Sequence, residues 1–185
     1  MKSLQVSIML LVVLFTSCTK KLDFNKFELS LLDVYKEGDT LIFQSSKGDL
    51  DTVYIVDKTI SHAQWNPLAH SGKYTPLNGK IYYARKKLPN GQMNTRPFIH
   101  LYKNEPDSTS LYIFYNIFFS KKFRNDNPSE LMSVMQDGTY MFRNTISKKD
   151  SDNQEVIYWN YKHGIIKYIT PEGVIWTCLS CNYEE

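Results

Sequence analysis

Apolar residues fall on every second position through most of this chain, and no other feature constrains the fold as strongly. A period of two puts alternate side chains on opposite faces of an extended strand, so one face can be buried while the other meets solvent. Thr40 to Ser45 carries Leu41 and Phe43 on one face. Asp51 to Ile60 alternates Val53 and Ile55 with Tyr54 and Val56. Lys80 to Lys86 aligns Ile81 with Tyr83, and Phe98 to Tyr102 aligns Phe98, His100 and Tyr102. Thr139 to Asn144, Glu155 to Tyr161, Ile165 to Thr170 and Val174 to Cys178 continue the series. Lys47-Gly48-Asp49 and Pro171-Glu172-Gly173 read as short hairpin turns between such runs. The 13 Tyr and 10 Phe fit this pattern, because flat rings pack well on a pleated surface.

Leu111 to Phe119 is apolar on both faces apart from Asn116, and reads as one central strand covered on both sides. A helix is expected at Asn127 to Gln136. Asn127 serves as cap, Pro128 opens the first turn, Glu130 completes a capping box, Leu131 and Met135 share a face, and Gly138 ends it. In Asn25 to Tyr35 a helical stripe of Phe27, Leu31, Val34 and Tyr35 competes with the alternation Phe27, Leu29, Leu31, and both readings stay open. Lys148 to Gln154 reads as a polar hairpin loop. The expected architecture is all-β, with eight or nine strands and one or two short helices. It is either an antiparallel β-sandwich or a curved barrel that need not close. Residues 26–185 form a single β-rich domain in this reading, large enough for a hydrophobic core of its own.

The amino end follows a different logic. Lys2 precedes the apolar stretch Leu4 to Phe15, which is interrupted only by Gln5 and Ser7. A membrane-spanning helix needs roughly 20 apolar residues, so this stretch has the length of a signal-peptide core. The string Leu14-Phe15-Thr16-Ser17-Cys18 then resembles a bacterial lipoprotein signal, with Phe15 where Leu is commoner. That resemblance implies transfer of diacylglycerol to the Cys18 thiol, cleavage before Cys18 and acylation of the freed amino group. The chemistry depends on the nucleophilicity of a thiolate. The competing reading is an ordinary secretory peptide cut near Ser17. In the lipoprotein reading, residues 1–17 are the signal and residues 18–25 are the lipidated cysteine with a short tether. Thr19, followed by Lys20 and Lys21, by resemblance favours the periplasmic face of the outer membrane. Gly38-Asp39-Thr40-Leu41-Ile42-Phe43 and the closing Tyr158-Trp159, Gly164 to Tyr168 and Gly173 to Trp176 resemble small envelope lipoproteins. This second resemblance implies a β-rich fold and no known activity.

The remaining residues carry little chemistry. The 22 Lys+Arg nearly balance 19 Asp+Glu, which gives no electrostatic case for nucleic acid. Arginines, which would favour bidentate phosphate recognition, are confined to Arg85, Arg96, Arg124 and Arg143. Cys178-Leu179-Ser180-Cys181 ends the last strand with no helix to lower a thiol pKa, and Asn182 stands where haem attachment needs His. Zinc-ligand spacing is missing too. A structural disulfide and a pair of plain thiols remain, and an oxidising envelope favours the disulfide. Ser61 to Gly79 is the long loop, with His62, Trp65, His70 and Tyr74. It is either an aromatic platform for a sugar or peptide, or a packed cover over one end of the sheet. Lys121, Lys122 and Arg124 read as a solvated basic turn that could also touch lipid head groups.

Asp49/Asp51, Asp150/Asp152 and Glu184/Glu185 are expected in polar turns or the tail, without the apolar setting a general acid needs. No serine-hydrolase elbow, zinc-protease, phosphate-loop or dinucleotide motif is present. The expected protein is a non-enzymatic, lipid-anchored binding or accessory module with no cofactor and no metal. Its expected partner is the membrane, through the anchor, and not nucleic acid. Two alternatives stand beside this. One is a small hydrolase with a site assembled from scattered residues. The other is a hydrophobe carrier using an apolar pocket under a curved sheet, as in lipid-handling envelope proteins.

Overall fold

The computed structural model describes residues 19–64, 73–85, 94–115, 117–124, 133–134, 139–143, 156–160 and 162–181. The chain opens with β1 (Lys20–Lys21), α1 (Lys26–Asp33), β2 (Thr40–Ser45), β3 (Leu50–His62), β4 (Tyr74–Thr75) and β5 (Leu77–Ala84). It continues through β6 (Arg96–Glu105), β7 (Ser108–Tyr115), β8 (Ile117–Arg124), β9 (Ser133–Val134) and β10 (Thr139–Arg143). It closes with β11 (Val156–Asn160), β12 (Gly164–Ile169) and β13 (Ile175–Cys178). Strands β1 and β4 pair in parallel. The others form one 11-stranded sheet in the order β8-β7-β6-β5-β3-β2-β13-β12-β11-β10-β9, antiparallel at every pairing.

This sheet is strongly curled. Five strands separate β7 from β12 in the sheet order. Laid flat at about 4.8 Å per step, Tyr115 and Tyr168 would stand roughly 29 Å apart. Their ring centroids are 5.3 Å apart. The end strands β8 and β9 are not paired with each other, so the fold is an all-β, unclosed barrel among the described residues. Gly48 supports the tight β2–β3 turn with a φ of 92°, a conformation that costs a residue with a Cβ.

Helix α1 fills the hollow. Asn25 caps it in a reciprocal box: Glu28 N donates to Asn25 Oδ1 at 2.8 Å, and Asn25 N donates to Glu28 Oε2 at 2.6 Å. Leu31, Leu32 and, just beyond the helix, Tyr35 are buried in the core. Gly79 on β5 makes room for this contact, because a Cβ there would lie 2.4 Å from Leu32 Cδ1. Aromatic edges complete the filling. Tyr35 meets Phe98 at 5.2 Å and Trp159 at 5.6 Å, and Phe43 meets Tyr168 at 5.5 Å.

Several expectations change. Leu111 to Phe119 is not one central strand. The chain reverses between Tyr115 and Ile117, giving the β7–β8 hairpin with β8 at the sheet edge. The outward face of β7 carries Tyr112 and Phe114, and these rings imitate the pattern of a strand covered twice. In the stretch expected as the Asn127 to Gln136 helix, Ser133–Val134 is strand β9, paired with β10; the rest of that stretch lies outside the described residues. Asn25 to Tyr35 resolves as helix because its cap and apolar stripe act together. Residues 20–25 are not a free tether, since β1 pairs with β4 and Leu22 is buried. The long loop is shorter than expected, because both of its ends are strand. The Lys148 to Gln154 loop lies outside the described residues.

Candidate functional site

The expected binding loop is described only at its flanks. His62 ends β3, half-buried, with Nε2 2.8 Å from the Leu22 carbonyl. Tyr74 lies in β4, with the Lys73 ammonium 5.8 Å from its ring centre. Trp65 and His70 lie outside the described residues. The amino end is stitched onto this loop. Thr19 Oγ1 is 2.8 Å from Thr75 Oγ1, and Lys20 N donates to Lys73 O at 3.0 Å.

Cys178 and Cys181 form a disulfide, with Cα atoms 5.6 Å apart. Cys178 lies opposite Phe43 in the register and is buried. Around the bridge, Leu179 N donates to Ile42 O at 2.7 Å, and Ile42 N donates to Ser180 Oγ at 3.0 Å. The bridge therefore locks the turn after β13 onto β2. Cys18 lies outside the described residues.

Two polar clusters were not anticipated. In the first, Glu28 of α1 is buried with Lys103 of β6, Oε2 to Nζ 2.9 Å. Lys103 also donates to the Asp23 carbonyl at 2.9 Å, and Thr109 Oγ1 donates to Glu28 Oε1. This network pins the helix inside the sheet. Its only sequence signal was the Asn25-to-Glu28 spacing of a capping box. In the second, Tyr115 OH donates to Asp51 Oδ2 at 2.7 Å, and Arg85 approaches the same oxygen at 3.3 Å. The Arg85 guanidinium lies 5.2 Å from the Tyr115 ring centre. Asp51, expected in a polar turn, is instead a half-buried strand residue. Lys121, Lys122 and Arg124, expected in a turn, lie on β8, where Lys122 pairs with Glu105 at 3.1 Å.

The electrostatics favour fixed neutral groups. Burial pushes the Tyr115 hydroxyl far above its ordinary range, with Tyr168 and the Asp51 carboxylate adding to the rise. Burial raises Tyr35 as well, outweighing the Ile165 N–H that its hydroxyl accepts at 2.8 Å. His100 is held below the usual histidine range by burial and by Lys80, and its Nε2 lies 3.0 Å from Asn78 Oδ1.

The outward face of β5, β6 and β7 carries rings. His100 stacks on Tyr112 at 5.6 Å, and Tyr112 lies nearly parallel to Phe114 at 6.1 Å. A shallow cleft of about 340 Å³ lies where β3 and β5 shift register, at Ile55/Asp57 and at Ile81/Tyr82. Val56, Asp57, Thr59, Tyr82 and Thr95 line it. Its polar groups are the Asp57 carboxyl and the hydroxyls of Thr59, Tyr82 and Thr95. They do not supply a nucleophile with its base. No group of three His, Cys, Asp or Glu side chains suited to a metal occurs among the described residues.

Comparison with family models, with curated proteins and with solved structures finds no match.

Proposed function

We propose that this protein is a lipid-anchored cell-envelope protein that acts as a non-enzymatic binding or accessory module, held at the periplasmic face of the outer membrane through Cys18. The observation that carries this reading over the carrier alternative is the filled interior. Leu31, Leu32, Tyr35, Phe98 and Trp159 occupy the hollow of the sheet and are almost wholly buried. Recognition then falls to the outer surface, where the cleft at Tyr82 and the neighbouring rings offer a preformed concavity. The Cys178–Cys181 bridge supports an oxidising compartment, and the Leu14 to Cys18 string supports the anchor. The hydrolase alternative draws no support from His62 and His100, whose rings face a backbone carbonyl and an amide.

Metabolic labelling with a fatty-acid analogue tests the anchor. Label is expected on the wild type and not on Cys18→Ala. An unlabelled wild type would remove the anchor. Titration with a fluorescent fatty acid tests the module. Saturable one-to-one uptake into the interior would restore the carrier reading.

A further inference from the structure

We infer that the body lies flush on an anionic bilayer, seated on the end of the sheet that carries β1 and β4. This rests on the anchored reading of Cys18, and adds to it an orientation and a lipid partner. Thr19 follows Cys18 directly, so their Cα atoms are about 3.8 Å apart. Thr19 is already bound, through the hydroxyl contact to Thr75 at 2.8 Å. Lys20 and Lys21 pair with Tyr74 and Thr75, Leu22 is buried, and the Asp23 carbonyl accepts from Lys103. A flexible leash of n residues would let the body wander about 5–6 Å × √n from its anchor. Here the leash has no free residue, and the lipid head groups must meet this end of the fold.

The surface presented there suits them. Lys20, Lys21 and Lys73 are exposed. Of the carboxylates at this end, Asp23 and, in the β6–β7 turn, Asp107 are exposed, and Glu105 is already tied to Lys122. Near an anionic leaflet each lysine contributes about fivefold to partitioning. Strand β3 runs from Leu50 to His62, ending beside Leu22. At about 3.3 Å per residue, its far end and the Lys47 turn lie roughly 40 Å along the strand from this end.

The test is lysine acetylation read by mass spectrometry. The lipidated full chain, in vesicles of phosphatidylethanolamine and phosphatidylglycerol, is compared with soluble Cys18→Ala produced without residues 1–17. Lys20, Lys21 and Lys73 are expected to react about fivefold more slowly on vesicles, with Lys47 unchanged. A variant with a Gly-Ser insert of about ten residues between Cys18 and Thr19 should float with vesicles yet lose most of that protection. If the wild type floats and all four lysines react as in the soluble variant, the docked orientation is wrong and the anchor stands. Full protection in the insert variant would likewise overturn it. A wild type that does not float would instead overturn the anchor itself.

Discussion

Glu28→Gln removes a charge from one of the most deeply buried side chains while keeping its shape. Glu28 is 0% exposed and Lys103 is 4% exposed. Three donors converge on the carboxylate: Asn25 N at 2.6 Å, Lys103 Nζ at 2.9 Å and Thr109 Oγ1. After the substitution, Lys103 keeps the Asp23 carbonyl but loses its counter-charge. Breaking one side of a buried pair costs about 3–5 kcal/mol, because the other charge stays buried and unmatched. The glutamine oxygen can still accept from both Asn25 N and Lys103 Nζ, so the expected loss lies near the lower bound, about 3 kcal/mol. Urea unfolding followed by tryptophan fluorescence measures it, with Trp159 reporting from beside Tyr35. Adding Lys103→Met removes the stranded charge. The double variant should recover about 2 kcal/mol relative to the sum of the two single losses. A single-variant loss below about 1 kcal/mol, or strict additivity, would refute the assignment of the network as a structural pin.

Tyr35→Phe strips the acceptor from the buried Ile165 N–H and should cost about 1–3 kcal/mol in the same assay. Gly79→Ala drives a Cβ toward Leu32 and Phe24, 2.4 Å and 2.9 Å away. A loss of about 1–3 kcal/mol is expected, with weakened near-ultraviolet circular dichroism as the helix is displaced. Reducing the Cys178–Cys181 bridge should cost about 2 kcal/mol, since it closes a very short loop; unfolding with and without reductant checks this. The lowered pKa of His100 means that the unfolded chain takes up its proton first as pH falls. Its contribution is therefore complete above about pH 6.5 and declines below that. Melting temperatures between about pH 7.5 and 5.5 should fall less steeply for His100→Gln than for the wild type.

The strands with one buried face were legible in the sequence because alternation reports burial directly. β2 matches its expected limits residue for residue, and β12 and β13 to within one residue. Where both faces carry rings, the signal fails. Tyr112 and Phe114 made β7 look doubly covered and hid the reversal before Ile117. The curl was not legible, because it is set by which distant strands meet, as Tyr115 meets Tyr168. Glu28 and Lys103 were passed over for a related reason. A charged residue in a sequence predicts solvent, and only the fold brings 75 positions of separation to a contact. The cleft at Asp57 and Tyr82 adjoins two register shifts, and backbone irregularities of that kind leave no residue-type signature.

Strand β13 lies between β2 and β12, so the last strand among the described residues is interior to the sheet. It bridges two groups of neighbours, β2, β3 and β5 to β8 on one side and β9 to β12 on the other. A premature stop or a proteolytic cut ahead of Ile175 would therefore split the sheet at its seam, where losing an edge strand would only trim it. Until Ile175–Cys178 is in place the two groups share no strand, so the halves can join only through β13.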